Sequence, residues 1–328
     1  MKKTLIAIAA IATVGAASAD MAVYGKVDLG LTSYVSNAVG AANQGVQITS
    51  GNYSGSRFGF NGSTDLGDGL KGSFMMETGF NAATGSVTSF GGRGASAAIS
   101  GSLGSVSLGR QFSPYSSASW NEPLEYDGFS TLYWAWQAAG IHQEAFWRSA
   151  SMMYTTPTVN GLNASVMYAN PADATSTESR GAYTSVGANY ATGPLTLAIG
   201  QEASKAAGVA GLTTTAWQGS AAYNAGVATV YVGVEGADNT QAKDNGWNIG
   251  AGVPLGNGNA LQLGYGSEKS TVNGASADST VTAMSIVFVK EWNKATRLYA
   301  GYMSQDTTST LNVKTNFNLT SAGVRYSF

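Results

Sequence analysis

Residues Arg57–Phe80 read RFGFNGSTDLGDGLKGSFMMETGF. The first arm puts Phe58 and Phe60 on one parity and Arg57, Gly59 and Asn61 on the other. The second sets Leu70, Phe74, Met76 and Phe80 against Lys71, Ser73, Met75 and Glu77. Period 2 is the signature of a strand, because successive side chains of a pleated backbone point to opposite faces. Between the arms, Asp65-Leu66-Gly67-Asp68-Gly69 supplies residue types that tolerate a tight reversal. The stretch predicts an antiparallel hairpin with one apolar and one polar face.

The same alternation extends to both ends of the chain. In Ala22–Leu31, Val23, Gly25, Val27, Leu29 and Leu31 oppose Tyr24, Lys26 and Asp28, and near the C-terminus Ala322, Val324, Tyr326 and Phe328 oppose Arg325 and Ser327. Sixteen such runs can be counted, from 22–34, 55–64 and 70–80 through to 297–304 and 317–328. Short turns such as Leu103-Gly104 and Thr192-Gly193-Pro194 alternate with longer polar stretches near 36–54, 81–94, 112–147, 170–180, 203–213, 236–245, 268–279 and 305–316. An even number of strands of about ten residues, with turns at one end and loops at the other, is the pattern of an outer-membrane barrel. The fold expected is all-β: a transmembrane antiparallel 16-stranded β-barrel, wide enough to hold water.

Composition agrees. There are 43 glycines, 6 prolines and no cysteine, and only 11% of residues are charged. Lys2 and Lys3, the apolar run Leu5–Val14 and Ala17-Ser18-Ala19 make residues 1–19 a cleavable signal peptide, leaving 20–328 as one barrel domain. Without Lys2 and Lys3 the 17 basic residues fall to 15, against 19 acidic ones. No basic stripe invites nucleic acid. One histidine, His142, and no cysteine leave no Cys/His nucleophile and no ordinary zinc site. No G-x-S-x-G element surrounds a serine, and Gly91-Gly92-Arg93-Gly94 neither follows a strand nor opens a helix. Neither an enzyme nor a cofactor is expected, and no metal site.

One stretch breaks the monotony. Phe112–Trp147, FSPYSSASWNEPLEYDGFSTLYWAWQAAGIHQEAFW, holds four of the seven tryptophans, the only histidine and the acids Glu122, Glu125, Asp127 and Glu144. Segments this long without regular structure are uncommon in compact domains and are usually functional. Residues 112–147 are expected to fold into the barrel lumen and narrow a water-filled pore.

Val23-Tyr24-Gly25-Lys26-Val27-Asp28, Ser56–Phe80, LGSVSLGRQ at Leu103–Gln111 and SAGVRYSF at Ser321–Phe328, taken in this order behind a signal peptide, resemble the Gram-negative general porin family. The resemblance implies a homotrimer in the outer membrane of a Gram-negative bacterium, in contact with its lipids and lipopolysaccharide. It also implies a terminal Phe328 read by the barrel assembly machinery, and passive diffusion of ions and small hydrophilic solutes. The enteric members carry Pro-Glu-Phe-Gly-Gly at the tip of the third loop, whereas here the nearest string is Glu122-Pro123-Leu124-Glu125-Tyr126-Asp127-Gly128.

A selective aqueous pore needs opposed charges across its narrowest section. The acidic side is expected from Glu122, Glu125 and Asp127. Lys26, Arg57, Lys71, Arg297 and Arg325 have lumen parity on their strands, and the resemblance selects Lys26, Arg57, Arg93 and Arg148 as the basic wall. Parity alone puts Arg93 and Arg148 on the outer face unless a bulge resets it. Arg110 shares the parity of Val106 and Leu108, so it points outward and needs a protein cover. The resemblance implies a neighbouring subunit there, with Glu77 as a candidate partner. Tyr24, Tyr168, Tyr190, Trp217, Tyr223, Trp247, Trp292, Tyr302 and Tyr326 fit girdles at the membrane interfaces. Trp120, Trp134, Trp136 and Trp147 either anchor the loop or form a stacking strip for sugar rings. The function expected is a diffusion channel, the alternatives being a sugar-type selective channel or a surface adhesin.

Overall fold

The computed structural model describes residues 20–38, 44–87, 89–118, 122–125, 127–136, 146–169, 180–206 and 212–328. Residues 1–19, expected to be a signal peptide, and Trp120, His142 and Glu144 lie outside them. The strands are β1 (Asp20–Ser36), β2 (Gln44–Ser50), β3 (Arg57–Gly67), β4 (Leu70–Gly79), β5 (Gly94–Gly101), β6 (Gly104–Phe112), β7 (Trp147–Thr155), β8 (Leu162–Ala169), β9 (Arg180–Thr192), β10 (Leu195–Ala206), β11 (Thr213–Asn224), β12 (Thr229–Asp238), β13 (Ala242–Gly256), β14 (Asn259–Val272), β15 (Ser279–Glu291), β16 (Thr296–Thr308) and β17 (Lys314–Ser327). Two short helices, α1 (Pro114–Ser117) and α2 (Thr131–Trp136), lie between β6 and β7.

Apart from β2 and β3, which both lie on β1, each strand pairs antiparallel with its sequence neighbour, and β1 closes the sheet on β17, from Lys26 opposite Ser327 to Ser36 opposite Phe317. Both β2 and β3 pair with β1: Leu29–Tyr34 face Ser50–Gln44, and Asp20–Lys26 face Ser63–Arg57. They are one stave in two pieces, so the barrel has sixteen. The break at 51–56 is held by side chains. Gly51 adopts φ 83°, Ser56 Oγ accepts from Asp28 N–H at 2.9 Å, and Ser56 Oγ donates to Asp28 O at 3.2 Å. One hydroxyl thus takes over the ladder bonds that the turn forfeits.

The Arg57–Phe80 hairpin forms as its residues dictate. Asp65 pairs with Lys71 and Gly67 with Leu70, and Gly67, Asp68 and Gly69 all take positive φ. Strands β13 to β16 run well past the about ten residues a bilayer requires. The stretch 236–245, read as a loop, is therefore mostly strand, closed by a turn in which Asn239 N–H bonds Ala242 O. Gln44–Ser50 is likewise strand rather than loop. Polar staves that project beyond the lipid lose the apolar parity by which sequence reveals them.

The faces are inverted relative to a water-soluble protein. Exposed positions are Val23, Leu31, Ile99, Leu108, Val232, Val234, Ile249, Ile286 and Phe288; covered ones include Asp28, Thr32, Gln218, Glu235, Asp244, Asn248 and Arg325. An apolar outside with every backbone group paired around a closed ring is what hydrocarbon demands. Among the described residues no helix is long and apolar enough to cross a membrane. Tyr168, Trp217, Tyr223, Trp247, Trp292 and Tyr326 are exposed, as girdles require. Tyr24 differs: it shares the parity of Lys26 and lies over Gly59 beside Glu77.

Candidate functional site

The segment after β6 opens with a capped turn. Ser113 Oγ accepts from Ser116 N–H at 3.0 Å, and Pro114 takes the first helical position of α1, where a missing N–H costs nothing. Tyr115 is fully buried on the polar face of β9 and β10. Its N–H donates to Ser185 Oγ at 2.9 Å, and Gln218 Nε2 donates to its carbonyl at 2.5 Å. A Cβ on Gly200 would stand 2.7 Å from Tyr115 Cα, so only glycine lets the two backbones approach this closely.

Further along, the segment touches the polar faces of other staves. Leu124 and Thr131 sit over Gly264 of β14, where an added Cβ would be 2.8 Å from each. Pro123 lies over Gly250 and Phe129 over Gly301. Ser285 Oγ donates to Phe129 O at 2.6 Å, and Gln305 Nε2 donates to Trp134 O at 2.7 Å. Leu124 and Phe129 join Tyr53, Val287, Val289, Tyr299, Met303 and Leu319 in a buried apolar cluster. Trp134 packs at a tilt against Phe317, with centroids 5.0 Å apart, and donates from Nε1 to Gly128 O at 2.9 Å. The Phe317 contact and the Gln305 bond tie Trp134 to the wall, while the Gly128 bond lies within the segment itself.

These contacts set Glu125 among three bases. Its carboxylate meets Lys26 Nζ at 3.3 Å, Arg297 Nη1 at 3.2 Å and Arg325 Nη1 at 2.5 Å. Glu125 has φ 53°, a strained left-handed conformation held by what surrounds it. Burial would push its carboxyl up; Lys26 and Arg325 more than offset this and hold it below the usual glutamate range. Arg297 also donates to Tyr53 Oη at 2.9 Å, and the guanidinium carbons of Arg297 and Arg325 lie 5.7 and 5.6 Å from the Tyr53 ring centroid. Arg297 and Arg325 were legible as lumen-parity bases; their partner lies 172 and 200 residues away, and nothing local announces it.

A second cluster adjoins the first. Arg93 Nε bonds Glu77 Oε1 at 2.8 Å, and Arg57 Nη1 lies 3.9 Å from the same oxygen. Ser54 Oγ accepts from both Arg57 at 2.9 Å and Lys26 at 3.3 Å. Asp127 accepts from Gly55 N–H at 2.7 Å. Burial pushes its carboxyl up to about 7, against that hydrogen bond and the nearby charges of Arg57 and Arg93. Glu122 takes another part: Ser130 Oγ donates to it at 2.6 Å while accepting from Tyr133 N–H at the start of α2.

Arg148 departs from the outward parity, and Arg110 has partners within its own chain. The β6–β7 ladder slips between Gly109 and Gln111, and Ala150 takes φ 48°. This bulge reverses parity, so Arg148 turns to the polar face and is 2% exposed. It pairs there with Glu202 at 3.1 Å, with its guanidinium 3.8 Å from the Tyr183 ring centroid, rather than with an acid of the 112–147 segment. Arg110 donates within its own chain to Gly92 O at 2.8 Å and Ser149 Oγ at 2.6 Å. Glu77, the acid considered for it, is engaged by Arg93 and Arg57.

A closed barrel with a polar inside, an apolar outside and staggered charges facing one another belongs with channels. The family model described as Gram-negative porin matches residues 4–310. The chain belongs to the Gram-negative porin family. This porin is 31% identical to outer membrane porin protein 32 of Delftia acidovorans, over 96% of this chain and 93% of the relative. It is 32% identical to an outer membrane porin protein of Bordetella pertussis, over 61% of this chain and 58% of that one. Among solved structures, the anion-selective porin from Comamonas acidovorans superposes with a TM-score of 0.80 at 23% identity, covering 95% of this porin and all of that chain. The trimer form of OmpT of Vibrio cholerae superposes at 0.71 with 16% identity, covering 94% and 99%. The porin is an outer-membrane diffusion channel, and its water-filled path runs along the polar face of the barrel.

Proposed function

We propose that residues 112–147 cross the lumen as a constriction loop, and that the path they leave favours small anions over cations. The observation that carries this reading is the three-to-one ratio at Glu125, where one loop carboxylate is neutralised by Lys26, Arg297 and Arg325. Arg297 has a second acid, Glu291, at 3.6 Å, but that side chain is half exposed and screened by water. A solute passing this section meets a net positive wall, which raises the local concentration of anions. Arg57 and Arg93 extend the same surface. The similarity to an anion-selective porin points the same way.

Three further parts belong to this reading. Residues 1–19 act as a leader removed on export, a reading carried by Lys2 and Lys3, the apolar run Leu5–Val14 and Ala17-Ser18-Ala19. The porin works as a homotrimer, as the trimer form of OmpT does. It carries solutes without converting them.

Single-channel recording in a planar bilayer under a salt gradient tests the proposal. The expected results are stepwise insertions in threes, conductance linear in salt, and a reversal potential of the sign set by anion flow. A cation-favouring reversal potential would refute the charge argument, and saturable block by a sugar would favour a ligand-selective channel instead.

A further inference from the structure

On the polar face of three adjacent staves, far in sequence from the loop acids, stands a second group of oxygen ligands. Gly246 of β13 lies opposite Glu235 of β12 and opposite Glu268 of β14. Asp244 and Asn248 flank it two residues away on its own strand, on the same face. Four oxygen-bearing side chains therefore ring a position that has no side chain of its own. Ser270, opposite Asp244, adds a hydroxyl.

All five residues are buried, and Glu268 and Ser270 are 0% exposed. Neither carboxylate oxygen of Glu268 has a hydrogen-bond partner, nor do Asn248 Oδ1 and Ser270 Oγ. Asp244 is near enough to act on Glu268 as a like charge. No base among the described residues forms an ion pair with Glu268. The nearby lysine of the same strand, Lys269, has the opposite parity and pairs with Asp278 at 2.5 Å. A buried carboxylate without partners is among the costliest arrangements a fold can contain. The buried oxygens of Glu268, Asn248 and Ser270 call for an ion or ordered water beside them.

We propose that Glu268, Asp244, Glu235, Asn248 and Ser270 form a binding site for a divalent cation of the calcium class. Carboxylate, amide and hydroxyl oxygens are the ligand set that hard cations take, and calcium accepts irregular geometry and a variable number of waters. Among the described residues no three acids or imidazoles converge tightly enough to hold an ion alone, so the ion keeps part of its water shell. The site lies beside α2: Ala135 Cβ and Thr131 O are within 3.4 Å of where a Cβ would stand on Gly266, two residues from Glu268. The bound ion ties β12–β14 together beneath the segment that carries Glu125.

The test is calorimetric titration of Ca2+ alone into chelator-treated protein, refolded in detergent without lipopolysaccharide, which binds calcium itself. The expected result is saturable binding of one ion per chain, weakened at least ten-fold in Glu268→Gln and clearly reduced in Asn248→Ala. Glu291→Gln, at a distant exposed acid, should leave it unchanged. Asn248→Ala keeps the test decisive if Glu268→Gln does not refold. Absence of saturable binding, or equal binding by wild type and both ring variants, would overturn the proposal whatever the channel's ion preference.

Discussion

Glu125→Gln removes one charge from the cluster it forms with Lys26, Arg297 and Arg325 while keeping the side chain's size. In the wild type that carboxylate partly cancels three bases, all within 3.3 Å. Its neutral replacement raises the local excess of positive charge by one unit. For an ion passing about 6 Å away in water, one unit charge is worth about 0.7 kcal/mol, reduced to about 0.4 kcal/mol by 0.1 M salt. That is about two-fold in local concentration, in opposite senses for anions and cations, so the anion-to-cation permeability ratio should rise about four-fold. The assay is the zero-current potential across a bilayer holding a few channels, in a ten-fold gradient of potassium chloride. Loss of three charge-assisted hydrogen bonds should also lower thermal stability, because the freed bases repel one another. An unchanged ratio, or a shift toward cations, would refute the claim that Glu125 stands beside the ion path.

Asp127 supplies a pH prediction. Its carboxyl is raised to about 7 in the folded protein, so it gains a proton as pH falls from 8 to 6, and anion preference should rise across that range. The same raised value means that the folded state binds more protons than the unfolded one between about pH 4 and 7, so Asp127 costs stability as pH climbs through that window. Asp127→Asn should flatten both the selectivity step, read by reversal potential, and the Asp127 share of the melting profile. Gly264→Val would place a Cβ 2.8 Å from Leu124 and Thr131; overpacking of this kind costs about 1–3 kcal/mol. It should appear as a lower melting temperature with a raised, noisier conductance as the segment is pushed off the wall. Glu202→Ala leaves Arg148 buried and unpaired, a loss of about 3–5 kcal/mol, read as a large drop in the unfolding temperature with little change in selectivity.

How far the molecule could be read from its sequence follows from the range over which each signal acts. Alternation is local, so the hairpin at Arg57–Phe80, the seam strands β1 and β17 and the lumen parity of Lys26, Arg57, Arg297 and Arg325 were all legible. Two things were not. A bulge moves a side chain through the sheet without changing local composition, so Arg148 reads as outward until the slip at Gly109 and the left-handed Ala150 are seen. Pairing across the barrel depends on closure, so nothing near Glu125 tells that Arg325 will reach it, or that Glu122 will turn back to Ser130. The glycines over which the segment lies, Gly200 and Gly264 among them, look in sequence like ordinary strand dilution. Their purpose appears only when another backbone rests on them.

The seam between β1 and β17 has a consequence in time. The first stave made can satisfy one edge early, against β2 and β3, but its other edge must wait for the last residues of the chain. Gly25 and Phe328 exchange both backbone hydrogen bonds, N–H to O at 3.0 and 3.1 Å, and the Phe328 ring covers the space a Gly25 side chain would need. The loop that closes there spans almost the entire polypeptide, the slowest kind of contact to make. Until it forms, β1 carries an open edge along an apolar ribbon, which is a template for the wrong neighbour. Shortening the chain by its final residue would therefore do more than trim an end. It would lengthen the interval during which an almost complete barrel remains an open, adhesive sheet.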